Sequence, residues 1–143
     1  MKLEFKEVAV PGDGNCLFYS LGKAFNISQQ NLRNNISTYL LKNKKKKIND
    51  MMLQDWVKLE KDVDIEQYAN IVKQSGFWGG NMELNACSNI YKVNIFILEK
   101  ANKKYKIVST YIWNNKAKNV FLIYDGAHYN YLSVSKNLAG INV

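Results

Sequence analysis

The sequence predicts a single α+β domain over residues 1–143. Helices in the first part pack on a small, mostly antiparallel sheet formed by the C-terminal half. Two observations predict this. Apolar residues recur at helical spacing from Cys16 to about Tyr91, and from Val93 onward they take the shorter period of strands. A third observation sets the scale. A chain of 143 residues, 47% hydrophobic and 22% charged, suits one folded domain with a sizeable core and needs no disulfide staple.

In order, Leu3 to Val10 alternates poorly and reads as a short edge strand at best. Pro11-Gly12-Asp13-Gly14-Asn15 is a tight, specified turn, with the only proline of the chain fixing its own φ. Leu17, Phe18, Leu21, Ala24 and Phe25 then define a buried helix that starts at Cys16 and ends at Asn26. Ser28 is the N-cap of a second helix to about Lys42, with Leu32, Ile36, Tyr39 and Leu40 facing inward. Ile48 to Leu59 reads as a third helix, with Met52, Leu53, Trp56 and Leu59 on one face. Asp64 caps a fourth from Ile65 to Ser75, closed by Gly76. Phe77-Trp78-Gly79-Gly80 opens a fifth, running to about Tyr91. Two readings of that junction stand level: a helix start with a hydrophobic plug, or the wall of a cleft. Strands follow at Val93–Leu98, Tyr105–Trp113, Val120–Tyr124 and His128–Val134, with turns at Ala101–Lys104 and Asp125–Ala127. The tail from Ser135 has no clear pattern.

Composition excludes several classes. Two cysteines make no disulfide framework, and no CxxC or Cys/His cluster points to a metal. No apolar run reaches the ~18–20 residues of a membrane span. No leader-like stretch follows Met1-Lys2-Leu3-Glu4, so the expectation is a chain in a reducing, cytoplasmic compartment. Formal net charge is +8, but Arg33 is the only arginine among 20 Lys and Arg residues. Readers of nucleic acid lean on arginine, and no aromatics interleave the lysines of the run 42–47. That run reads as a solvated helix end, so a nucleic-acid partner is not expected.

Chemistry points to Cys16. A thiol where a glycine-kinked turn enters a helix meets unpaired N–H groups and a positive field, and both favour the thiolate. His128 is the only histidine. A lone histidine is more often structural than catalytic. Here Asn130 lies two residues on along a strand, so both side chains share a face. A thiolate, an imidazole and an orienting carboxamide are the set a thiol protease needs. Cys87, mid-helix with no turn or base beside it, reads as an inert buried thiol.

Asp13-Gly14-Asn15-Cys16-Leu17-Phe18, Trp78-Gly79-Gly80 with Glu83-Leu84, and His128-Tyr129-Asn130 together resemble the three motif blocks of the ovarian tumour (OTU) cysteine proteases. The blocks span residues 13 to 130, and the first is the specific one. The resemblance implies a papain-like OTU domain with no cofactor or metal. Its expected activity is hydrolysis of the isopeptide bond after the Gly-Gly end of ubiquitin. It makes Cys16 the nucleophile, His128 the base and Asn130 the third triad member. Asp13 becomes the loop aspartate, with Gly14 and Asn15 shaping the oxyanion site. Trp78, Gly79, Gly80, Gly126 and Tyr129 become the walls of a channel narrow enough to select Gly-Gly. Asn130 in place of aspartate gives imidazolium less electrostatic support. The expected partners are ubiquitin or polyubiquitin, with ubiquitin-like modifiers as a further class, acted on by a monomer. The host-cell cytosol is the expected location if the source is a virus or intracellular bacterium. Two competing readings are a ubiquitin-binding OTU-like module without catalysis and a basic nucleic-acid-binding domain.

Overall fold

Residues 2–137 are described by a computed structural model of the chain. The elements are β1 (Lys2–Val8), α1 (Cys16–Phe25), α2 (Gln29–Lys42), β2 (Lys47–Ile48), β3 (Met51–Met52), α3 (Leu53–Lys61), α4 (Ile65–Val72), α5 (Asn81–Tyr91), β4 (Val93–Ala101), β5 (Lys104–Tyr111), β6 (Lys118–Tyr124) and β7 (Tyr129–Asn137). Five strands form one sheet in the order β1-β7-β6-β4-β5. Its pairs are antiparallel except β4–β6, which is parallel. The α+β class and the mostly antiparallel sheet agree with the sequence-based expectation.

The two-residue period sorts the sheet residues between two faces. Ile95 and Ile97 of β4 and Val120 and Leu122 of β6 join the main core with Leu17, Phe18 and Leu21 of α1, Leu32, Ile36 and Leu40 of α2, and Leu84 of α5. Their neighbours Leu98 and Ile123 form a smaller cluster with Leu132, against which Phe5, Phe96 and Phe121 pack. Helix α1 packs against β7 and β6. That docking brings the start of α1, at Cys16, to the part of the sheet that carries residues 128–130.

Local signals account for most element ends. Ser28 accepts a hydrogen bond from the Asn31 N–H. Asp64 and Gln67 close a capping box at α4. Asn26 ends α1 in the left-handed conformation at φ 58°. Four expectations are corrected. Ile48–Leu59 is not one helix: Asn49 and Asp50 both take positive φ, so Lys47–Ile48 and Met51–Met52 pair as a small hairpin before α3. Leu53 and Val57 are buried in α3, whereas Leu59 is 69% exposed. Helix α4 stops at Val72, short of Ser75, and Gly76 takes φ 90° in the loop beyond. The first strand runs the full length of Lys2–Val8, since backbone pairing with β7 compensates for its poor alternation. At the other end β7 continues to Asn137, past the point where the sequence pattern fades.

In the lysine run, Lys44 pairs with Glu66 at 3.4 Å and Lys46 donates to Asn89 at 2.7 Å. Among the described residues, no helix is long and apolar enough to cross a membrane.

Candidate active site

Cys16 is the first residue of α1 and is buried, 6% exposed. It lines a cleft of about 140 Å³ with Gly14, Leu17, Trp78, Gly79, Gly80, Tyr124, Ala127 and Tyr129. Six of the residues expected from sequence therefore meet around one small cavity. A larger cavity of about 210 Å³ near Leu40, Ile48, Trp56 and Met82 contains no nucleophile and no histidine.

Two glycines make this cleft possible. Gly14 has φ 89°, and a Cβ there would fall 2.7 Å from Trp78 Nε1 and 3.0 Å from the Gly76 carbonyl. A Cβ on Gly79 would sit 2.7 Å from the Phe18 ring and 2.9 Å from Leu17. The Trp78-Gly79-Gly80 backbone thus lies directly on the first turn of α1 and lines the cleft. Trp78 itself is 64% exposed. Gly80 faces open space, and its N–H donates to Glu83 Oε1 at 2.7 Å.

His128 follows a turn organised by Asp125. The Asp125 carboxylate accepts from the Ala127 N–H at 3.0 Å and the His128 N–H at 2.8 Å. Those two bonds hold the Asp125 carboxyl below its usual range. Gly126 in this turn takes φ 99°, and its carbonyl accepts from the Tyr124 hydroxyl at 2.8 Å. Tyr124 and Tyr129 stack at 4.3 Å between ring centroids. Burial and the neighbouring Tyr124 push the Tyr129 phenol up to about 12, so it stays protonated at neutral pH.

The imidazole has a defined orientation. His128 Nε2 lies 2.8 Å from Asn130 Oδ1. The same oxygen accepts from the Val10 N–H at 3.1 Å. A backbone N–H can only donate, so that atom of Asn130 is the carbonyl oxygen and His128 Nε2 must carry the proton. In the neutral ring the lone pair then belongs to Nδ1. That nitrogen faces the turn before Cys16: a Cβ on Gly12 would lie 3.5 Å from it.

The turn itself differs in detail from the expectation. Asp13 accepts from the Asn15 N–H at 3.2 Å, so this N–H is already engaged. The Asn15 side chain points away from the cleft, to Arg33 and to the Gly76 N–H at 2.7 Å. The N–H groups of Gly14 and Cys16 make no such bond among the hydrogen bonds of the described residues.

Two structural groups were not placed by sequence reasoning. Arg33 is fully buried, donates to Gln29 Oε1 at 2.7 Å, to the Val72 carbonyl at 2.9 Å and to the Phe77 carbonyl at 3.1 Å, and stacks on Phe18 at 3.8 Å. Its signal was available: the only arginine of the chain falls on the same helical face as Ile36 and Leu40. Glu83 is the second, 1% exposed, accepting from the Tyr68 hydroxyl at 2.5 Å as well as from Gly80. Burial pushes its carboxyl above the ordinary carboxylate range, while the Tyr68 and Gly80 donors act the other way.

A prediction follows for stability against pH. A raised carboxyl pKa means that the folded chain holds the proton more tightly than the unfolded one. The contribution of Glu83 is therefore full at low pH and declines as pH rises through the raised value. The melting-temperature difference between wild type and Glu83→Gln, which cannot titrate, should favour wild type most in acid, below the ordinary carboxyl range, and shrink as pH rises through the raised value. A difference that grows with pH contradicts this sign.

Cys87 is fully buried in α5, and burial pushes its thiol well up, as an inert core cysteine requires.

Comparison with known proteins agrees with the geometry. Residues 11–131 match the family described as OTU, OTU-like cysteine protease. The chain is 30% identical over 142 residues to OVARIAN TUMOR DOMAIN-containing deubiquitinating enzyme 7 of Arabidopsis thaliana, covering 96% of this chain and 35% of that protein. The chain thus spans about a third of the length of that relative. The fold matches an OTU domain in complex with ubiquitin at a TM-score of 0.70 and 20% identity, covering 94% of this chain and 72% of the other. It matches the Hazara virus OTU bound to ubiquitin at a TM-score of 0.73 and 18% identity, covering 93% and 83%. The sheet and helices described above, the cleft at Cys16 and a family match over most of the sequence converge on one assignment: this chain belongs to the OTU-like cysteine protease family.

Proposed function

We propose that this chain is a deubiquitinating thiol isopeptidase domain, cleaving the bond after the C-terminal Gly-Gly of ubiquitin. The observation that carries the reading is the Val10–Asn130–His128 chain of hydrogen bonds, which leaves Nδ1 as the basic nitrogen facing the turn that ends in Cys16. Ubiquitin as partner is supported by the two neighbours bound to it and by the name of the Arabidopsis relative.

In this mechanism His128 Nδ1 takes the proton of the Cys16 thiol, and the thiolate attacks the carbonyl carbon of the terminal glycine. The resulting imidazolium keeps its Nε2–H on Asn130 Oδ1. The oxyanion is held by N–H groups at the turn and the start of α1, among them that of Cys16. Collapse of the tetrahedral intermediate breaks the C–N bond, and His128 returns its proton to the departing lysine amine. A thioester to Cys16 remains. Water, deprotonated by His128, attacks it and releases the ubiquitin carboxylate and the thiol. Trp78-Gly79-Gly80 on one side and Ala127 with Tyr129 on the other leave a cleft that suits a tail without side chains. Asp13 supports the turn through its bond to the Asn15 N–H. Gly126 lets the chain turn between Tyr124 and His128. The enzyme is a monomer working in a reducing compartment, where its thiol persists.

The test is a ubiquitin probe carrying a C-terminal electrophile. The wild-type chain should form a covalent adduct at Cys16, and Cys16→Ala should form none. An unmodified wild-type chain would reject the enzyme reading.

A further inference from the structure

Three helices of this chain start after a residue suited to cap them, and one of those residues does not cap. Ser28 (ψ 153°) and Asp64 (ψ 165°) are extended and place their side chains on the N–H groups of Asn31 and Gln67. Asn15 belongs to the best class of N-caps. Yet its φ is −103°, its ψ is 8°, and its side chain makes no capping bond to α1. Its Oδ1 is held elsewhere, by Arg33 Nη2, by the Gly76 N–H and, at 3.5 Å, by the Ser75 hydroxyl.

The consequence is geometric. The Asn15 carbonyl still accepts the first helical bond, from the Tyr19 N–H at 2.9 Å, so the helix end is fixed. With that end fixed, ψ of Asn15 decides where its own side chain and the preceding turn go. The observed ψ carries the side chain off the helix end. A ψ like those of Ser28 and Asp64 would bring it over the first-turn N–H groups and swing Gly12-Asp13-Gly14 elsewhere.

We infer that Arg33 is a positioning residue, which captures Asn15 Oδ1 and so keeps the helix that begins at Cys16 free of a side-chain cap. The first-turn N–H groups then serve the Cys16 thiolate and the oxyanion, and the turn stays where His128 meets it. The same guanidinium holds the Phe77 carbonyl, immediately before Trp78-Gly79-Gly80, so one buried cation registers both the nucleophile turn and the cleft wall. The inference rests on the thiol-protease reading above and adds how its nucleophile is kept available.

The test uses Asn15, because replacing Arg33 strips donors from buried carbonyls and threatens the fold itself. Asn15→Ala removes both the link to Arg33 and any capping ability. Asn15→Ser is too short to keep the link but is a strong cap. Three quantities are read on the intact chain: melting temperature, steady-state cleavage of a fluorogenic ubiquitin conjugate, and the rate of Cys16 alkylation by iodoacetamide. Both variants should lose kcat with KM nearly unchanged. Asn15→Ser should melt higher than Asn15→Ala, yet turn over roughly tenfold more slowly. It should also be alkylated a few-fold more slowly, roughly the size of a helix-end field effect. This inverse order of stability and reactivity is what a merely structural clamp does not produce. An Asn15→Ser variant as reactive as Asn15→Ala, or activity that follows melting temperature, overturns the inference. If the wild-type chain fails to cleave the ubiquitin conjugate, the proposed function falls, whereas the order of alkylation rates still decides the role of Arg33.

Discussion

Replacing His128 with alanine should lower turnover of a ubiquitin conjugate by about 10²–10⁴-fold while the chain stays folded. The imidazole is the only one in the sequence, so no second histidine can take over proton transfer. The ring also holds no structural bond except the one to Asn130 Oδ1 among the side-chain contacts described, and Asn130 keeps its Val10 donor without it. Melting temperature should therefore move little. Asn130→Ala should cost less than His128→Ala, because the base persists and loses its fixed orientation. Equal losses from the two changes would mean that Asn130 does more than orient. Steady-state kinetics with circular dichroism as a folding control separates these outcomes.

Arg33→Met should be the most destabilising single change considered, by about 3–5 kcal/mol. The carbonyls of Val72 and Phe77 and the Asn15 side chain all lose a buried donor, and each such loss costs about 1–3 kcal/mol before relaxation. A methionine fills most of the volume and can still lie against Phe18, so packing alone does not produce the loss. Typical domains have about 5–15 kcal/mol in hand, so the effect is a large fraction of the whole. Lysine should recover only part of it, since a single ammonium lacks the planar fork that reaches these separate acceptors. Urea denaturation of wild type, Arg33→Met and Arg33→Lys measures this. A loss under ~1 kcal/mol for Arg33→Met would show that water replaces the guanidinium at those acceptors.

How much of this was legible in the sequence depends on how local each feature is. Ser28, Asp64 and Asn26 were readable as helix ends because a cap is decided within three or four residues. Cys16 was legible at a helix start and Asn130 near the start of a strand, whereas His128, expected to open that strand, lies just before β7, because its N–H is taken by the Asp125 turn. The hairpin before α3 was missed because Ile48, Met51 and Met52 fit a helical spacing as well as a strand, and only the paired left-handed residues Asn49 and Asp50 tip the balance. Arg33 was visible as an oddity of composition, but its acceptors at Val72 and Phe77 lie about forty residues away. Likewise the tautomer of His128 needed the N–H of Val10, 120 residues from Asn130. No periodicity reports contacts of that kind.

The pairing of β1 with β7 has a kinetic side. Lys2 lies opposite Asn137 and Val8 opposite Tyr131, so the sheet is completed only when the two ends of the described chain meet. The bond from Val10 to Asn130 sits at the inner end of that same closure. Contacts of such long sequence separation carry the largest loop-closure entropy, and folds rich in them form slowly. Helices α1 to α5 can collapse on β4, β6 and β7 before β1 is added. Such an intermediate would have its nucleophile helix in place and its base unoriented. Competence for catalysis would then report the final step of folding, when the first strand zips onto the last.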